Sequence, residues 1–135
     1  MATLAALCAD PDPGVRRSAV HAYMWHYGSM NPTNALAQLA LQDPDPEVRG
    51  QALEALAARW AWADRRAPGF LHVRRAVTGG LAAEHAVVRF WAVYAVGQLE
   101  LSAERSRVAA LLDDQRVGFA DLTVADEARS VLADL

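Results

Sequence analysis

Asp43-Pro44-Asp45-Pro46-Glu47-Val48-Arg49 is the stretch that decides the fold. It has the form of a tight turn that opens a helix. Asp45 stands where an N-cap carboxylate accepts orphan backbone N–H groups, and Pro46 takes the first helical position, where no N–H is needed. Glu47 adds negative charge at the positive end of the helix dipole. The same turn occurs earlier as Asp10-Pro11-Asp12-Pro13-Gly14-Val15-Arg16, an offset of 43 − 10 = 33 residues. The register continues through Ala19/Ala52 and Ala22/Ala55. The repeating unit is therefore a helix, a turn and a second helix.

Composition agrees with a helical chain. The 135 residues are rich in Ala and Leu, poor in Gly and aromatics, and hold no long alternating run of Val, Ile or Thr. That length suits one domain with a sizeable core, residues 1–135. All 13 basic residues are arginine, a coding-composition signature of a GC-rich bacterial genome. A formal net charge of −3 argues against a nucleic-acid binder, which usually carries a basic stripe. Cys8 is the single cysteine, so no intramolecular disulfide is possible and a reducing compartment fits. Met1-Ala2-Thr3-Leu4 has no basic leader region, and no apolar run approaches membrane-spanning length. The expectation is a soluble, cytoplasmic, all-helical protein.

Four helical hairpins emerge along the chain, over about 2–28, 31–63, 70–99 and 102–135. In each, an A helix precedes the turn and a B helix follows it. The first A helix, near 2–9, is short and lacks a cap residue before it. Its B helix runs to about Tyr27, with Gly28 as a left-handed stop. Asn31 is the cap expected for the second A helix, with Pro32 at its first position. The second B helix extends from Pro46 to about Ala63, followed by the connector Asp64-Arg65-Arg66-Ala67-Pro68-Gly69. That connector shifts the third Val-Arg to Val88-Arg89, 88 − 48 = 40 residues on. The third A helix covers about 70–83, weakened at its end by Gly79-Gly80, and its B helix covers 86–99. Glu84-His85 stands where the paired aspartates stood. Ser102 is the expected cap of the fourth A helix, about 103–112. Asp113-Asp114 restores the acidic turn, and an insertion, 115–122, separates it from the last helix. Thr123 and Asp126 resemble a capping box opening a helix over 124–134.

A lone helical hairpin cannot bury its apolar face, so neighbours must stack. Ala19, Ala52, Ala92 and Ala128 allow close approach of paired helices, while Val15, Val48, Val88 and Val124 fill between them. Two copies of Asp-Pro-Asp-Pro-x-Val-Arg-x-x-Ala, each followed by an apolar helix, resemble HEAT repeats of the bacterial, phycobilisome-lyase-like subset. The resemblance is strong over 2–63 and looser over 70–135. It implies a right-handed α-solenoid of about four HEAT-like hairpins. It also implies a ladder in which the arginine of one repeat pairs with the turn acid of the next. Arg16 would face Asp43 or Asp45, Arg49 would face Glu84, and Arg89 would face Asp113 or Asp114.

Positions three, six and ten after each B-helix valine share a face that is not the apolar stripe. They are Ser18, His21 and Trp25; Gln51, Glu54 and Ala58; Trp91, Tyr94 and Gln98; Glu127, Ser130 and Asp134. In the fold that the chain resembles, the B helices line the concave surface. Aromatic anchors among polar groups suit protein binding. The competing reading folds Trp25 or Trp91 into the seams between repeats. Trp60 belongs with the core, whereas Trp62, Phe90 and Phe119 could be buried or exposed.

No catalytic constellation stands out by spacing. His21 and His26 are five apart and share no face as an i, i+4 metal pair would; His72 and His85 have no acidic partner at ligand spacing. Glu84-His85 reverses the His-Glu order of HEAT-repeat di-iron hydroxylases and occurs once. Cys8 lies on an apolar face, which favours an inert thiol. Gly79-Gly80 lacks the lysine and spacing of a phosphate loop. No metal or cofactor is expected. The sequence thus favours a non-enzymatic protein-binding module, a small adaptor or inhibitor, with the toxin-immunity type as its narrower form. A HEAT-related lyase or chaperone, a DNA-glycosylase-like enzyme and a segment of a homo-oligomer are the alternatives. Glu54, Glu127 and Asp134 on the would-be binding face argue against DNA.

Overall fold

The computed structural model describes residues 3–25 and 32–135. The expectations for His26, Tyr27, Gly28 and Asn31 lie outside them. The described helices are α1 (Leu4–Leu7), α2 (Pro13–Trp25), α3 (Thr33–Gln42), α4 (Pro46–Trp60), α5 (Phe70–Leu81), α6 (Ala86–Leu99), α7 (Arg105–Ala109) and α8 (Val124–Asp134). A 3₁₀ turn, Ser102–Glu104, precedes α7, and two short strands, β1 (Val117–Phe119) and β2 (Leu122–Thr123), precede α8. Successive helices pair as α1/α2, α3/α4, α5/α6 and α7/α8. The B helices α2, α4, α6 and α8 then pack each on the next, with α3 against α5 beside them. This is an all-α repeat solenoid.

The repeated turn divides its work between two aspartates. Asp43 Oδ1 accepts the Asp45 N–H at 2.9 Å, which folds the turn, and Asp45 Oδ1 accepts the Glu47 N–H at 2.8 Å, which caps α4. Asp10 and Asp12 do the same ahead of α2, accepting from the backbone of Asp12 and Gly14. Pro46 occupies the first turn of α4, where its missing N–H removes nothing from the helix.

The small-residue row is buried throughout: Ala19 at 1% exposure, and Ala52, Ala92 and Ala128 at 0%. Val48, Val88 and Val124 are fully buried, whereas Val15 and Leu132, in the outermost B helices, are only half-buried. Burying a Val or Leu side chain fully contributes about 1.5–3 kcal/mol, so Leu53, Leu56, Val88, Val93 and Val96 on α4 and α6 dominate the core. Gly80 lies in the last turn of α5, where an added Cβ would sit 2.8 Å from Ala92 Cβ and 3.0 Å from Leu53 Cδ1. The glycine pair is therefore a close-packing point rather than a weak helix end.

Several boundaries depart from expectation. The first helix is capped after all, since Thr3 Oγ1 accepts the Ala6 N–H at 3.1 Å. Pro32 stands at the cap position of α3, with no side-chain cap bond. Ser102 does not cap the fourth A helix; it opens the 3₁₀ turn, and the α-helix is cut to five residues. The 115–122 insertion, which the sequence left open, is an ordered antiparallel hairpin docked on α6. The capping box before α8 forms as expected, with Thr123 and Asp126 each accepting the other's backbone N–H.

Candidate functional site

The arginines of the Val-Arg pairs hold the turns. Arg16 grips Asp43 with two bonds, Nε to Oδ2 at 2.8 Å and Nη2 to Oδ1 at 3.0 Å, both buried. Its Nη1 donates back to the carbonyls of Asp10 and Pro11. Arg89 repeats the arrangement: Nε donates to Asp114 Oδ2 at 2.7 Å, and Nη1 to the carbonyls of Ala83 and Glu84. Asp43, not Asp45, is therefore the partner of Arg16, because Asp45 is spent on the helix cap. Asp114, not Asp113, is the partner of Arg89, because Asp114 occupies the turn-folding position, accepting the Arg116 N–H as Asp43 accepts that of Asp45.

Arg49 does not pair with Glu84. It donates from Nε to the Ala40 carbonyl at 2.9 Å, and Glu84 is exposed. Counting back two residues from the helix caps at Asp45 and His85 shows why: the turn-folding position is Asp43 in one repeat and Ala83 in the next. The third turn has no carboxylate at the place an incoming arginine reaches.

The B-helix face carries the remaining candidates. Ser18, His21 and Trp25 on α2 are exposed, Trp25 at 63%, with the His21 and Trp25 rings 6.1 Å apart. Gln51 and Glu54 on α4 are half-buried, as are Trp91 and Tyr94 on α6 and Glu127 on α8, while Gln98 and Ser130 are exposed. Trp91 takes both of the roles weighed for it. Its indole closes over Gly50 of α4, where a Cβ would fall 2.6 Å from Trp91 Cδ1, and its remaining surface faces out. Around it sit Phe90, Tyr94 and Phe119, with ring centroids 5.3, 5.1 and 5.0 Å away.

Phe119 reaches this cluster from the hairpin. Gly118 presses against Phe90, leaving no room for a side chain (an added Cβ would lie 2.3 Å from Phe90 Cβ), and Val117 and Phe119 on either side point outward. Val117 at 58%, Phe119 at 51% and Leu122 at 44% exposure extend the aromatic patch beyond the helices. The strand alternation Val117-Gly118-Phe119 is the sequence signal for this feature, too short at three residues to stand out. Trp62, at 97% exposure, is a second outward aromatic; with Met24, Trp25, Ala58 and Arg59 it rims a cavity of about 390 Å³. Trp60 is in the core, its Nε1 donating to Thr33 Oγ1 at 2.9 Å and its ring against Phe70. Arg65 ties the connector down by donating to the Leu99 carbonyl and lying over the Phe70 ring.

Two carboxylates on the face are perturbed. Burial pushes Glu54 up, opposed by the charge of His21, and burial pushes Glu127 up. The Tyr94 hydroxyl is raised by burial and then by the negative charges of Glu54 and Glu127, which places it in the field of both. A cavity of about 200 Å³ lies between α6 and α8, lined in part by Tyr94, Gln98, Glu127, Ser130 and Asp134. Burial also raises the Cys8 thiol, consistent with an unreactive core cysteine. Among the described residues no three or more His, Cys, Asp or Glu side chains are grouped to hold a metal ion, and no helix is long and apolar enough to cross a membrane.

Stacked helix pairs joined by Asp-rich turns, with an arginine spanning from one pair to the next, define a helical-repeat scaffold. Residues 1–57 match the family model for HEAT repeats, which supports a HEAT-repeat protein and covers the two turns with the full Asp-Pro-Asp-Pro signature. No curated protein and no solved structure matches the chain.

Proposed function

We propose that this protein is a non-catalytic protein-binding module, a small adaptor or inhibitor that holds a partner against its B-helix face. The observation that carries the reading is the cluster of Trp91, Tyr94 and Phe119, fixed from below by Gly50 and Phe90 yet open to solvent above. Rigid, half-exposed aromatics ringed by polar groups lose little freedom on binding and supply most of the energy at protein interfaces. HEAT repeats commonly serve as protein-interaction modules, and the repeat match agrees with that use. An inhibitor of the toxin-immunity kind is the narrower form of the same reading, and a toxin gene beside its own would support it.

The test replaces Tyr94 and Phe119 together by alanine and leaves Trp91 on Gly50. Affinity capture from the native host, read by mass spectrometry, should recover a partner with the wild type. The double variant should bind that partner about 30-fold or more weakly, the loss of about 2 kcal/mol typical of a hot spot. Its melting temperature should stay close to that of the wild type. Full retention of the partner by the folded variant would refute the reading.

A further inference from the structure

We propose that the α4–α6–α8 part of this face receives an arginine of a partner protein, its guanidinium seated between Glu54 and Glu127 against the Tyr94 ring. The inference rests on the protein-binding reading above and names the partner's chemistry.

Eight carboxylates are buried or half-buried: Asp10, Asp43, Asp45, Glu54, Glu104, Asp114, Asp126 and Glu127. Six accept hydrogen bonds within the chain. Asp10, Asp45 and Asp126 take backbone N–H groups, Asp43 and Asp114 take arginines, and Glu104 takes Thr78 and Arg107. Glu54 and Glu127 have no hydrogen-bond or ion-pair partner among the described residues. These two flank Tyr94 of α6 from either side: Gly50 of α4 lies against Trp91 and Gly97 of α6 against Val131 of α8, and Glu54, Tyr94 and Glu127 each stand one helical turn from those contacts.

A half-buried carboxylate without a partner is costly, and a cation that arrives with its own hydrogen bonds removes the cost. No arginine of this chain does so. Arg129, two residues from Glu127, is bound to Asp126 at 2.6 Å, and only His21 influences Glu54. The neighbouring surface selects among cations. Tyr94 and Trp91 meet edge to face, at 5.1 Å and 79°, so a planar group can lie against one ring while its edge meets the acids. A guanidinium is planar, stacks on aromatic faces and presents donors on two sides, enough for two carboxylates on separate helices. An ammonium is a compact point charge and cannot serve both in that way.

The test uses a fluorescein-labelled hexa-arginine peptide, fluorescence anisotropy and physiological salt. Wild-type protein should bind it, and hexa-lysine more weakly. Glu54→Gln with Glu127→Gln should weaken hexa-arginine binding by about tenfold or more, because the bonded charges are lost. Glu47→Gln with Glu84→Gln makes the same change in net charge at exposed positions and should weaken it by no more than about twofold. Both pairs keep side-chain shape, and unchanged melting temperatures would confirm that both fold. Equal losses in the two pairs, equal affinity for hexa-lysine, or no binding by the wild type would each overturn the assignment. A purified partner whose capture needs Tyr94 and Phe119 but not the two glutamates would also overturn it, while leaving the protein-binding reading in place.

Discussion

Replacing Asp114 by alanine removes the acceptor toward which Arg89 is aimed. The side chains of Arg89 and Asp114 are 11% and 14% exposed, so the pair lies between a buried bridge and a surface one. Breaking a buried pair costs about 3–5 kcal/mol, whereas an exposed pair is worth about 0–1 kcal/mol. Arg89 keeps two carbonyl acceptors, Ala83 and Glu84, so its charge is not stranded. The expected loss is about 2 kcal/mol, which for a chain of this length lowers the melting temperature by about 7 °C. The loss should also depend on pH. Burial raises the Asp114 carboxyl, but the hydrogen bonds from Arg89 and the Arg116 backbone and the charges of both arginines outweigh it and hold the group below its ordinary value of 3.8. A carboxyl depressed in the folded state stabilises above its unfolded pKa and loses that contribution as pH falls through the folded value. Thermal melts followed by circular dichroism should therefore show the full deficit of Asp114→Ala at neutral pH and a shrinking deficit below about pH 4. An unchanged melting temperature at pH 7, or an equal deficit at pH 3, would refute the role of the pair.

Two further perturbations follow from the same geometry. Ala83→Asp places a carboxylate at the position Asp43 fills one repeat earlier and should raise stability by about 0.5–1 kcal/mol through Arg49. A gain that persists when Arg49 is also alanine would show that the new acid acts in some other way. Gly118→Ala puts a methyl group 2.3 Å from Phe90 Cβ, so the hairpin must lift from α6 at a cost of about 1–3 kcal/mol. Hydrogen exchange should then speed up over 117–123 and leave α4 and α6 protected; unchanged protection of the hairpin would refute the docking.

The repeat was legible because its signal is local. A capping aspartate, a proline at the first helical position and an alanine three residues past each Val-Arg pair report backbone geometry directly, and α4, α6 and α8 start where they were expected. The ends of helices were less legible, since the chain stops α4 at Trp60 and replaces most of the fourth A helix by a 3₁₀ turn and five residues. The arginine ladder was half legible. Sequence named the arginines and acids, but two adjacent aspartates or an Asp-Glu substitution look alike until the turn shows which residue folds it and which caps the helix.

Sequence by itself thus determined the repeated helix–turn–helix unit, its small-residue packing row and the face its B helices turn outward, because each follows from spacing along one segment. Only the tertiary structure decided that Trp91 rests on Gly50, that the 115–122 insertion folds back to bring Phe119 beside it, that Arg49 has no acid to meet, and that Glu54 and Glu127 flank Tyr94 with no hydrogen-bond or ion-pair partner among the described residues. Those are contacts between segments far apart in the chain, and their distances are set by how the helices stack, not by any spacing a single segment carries.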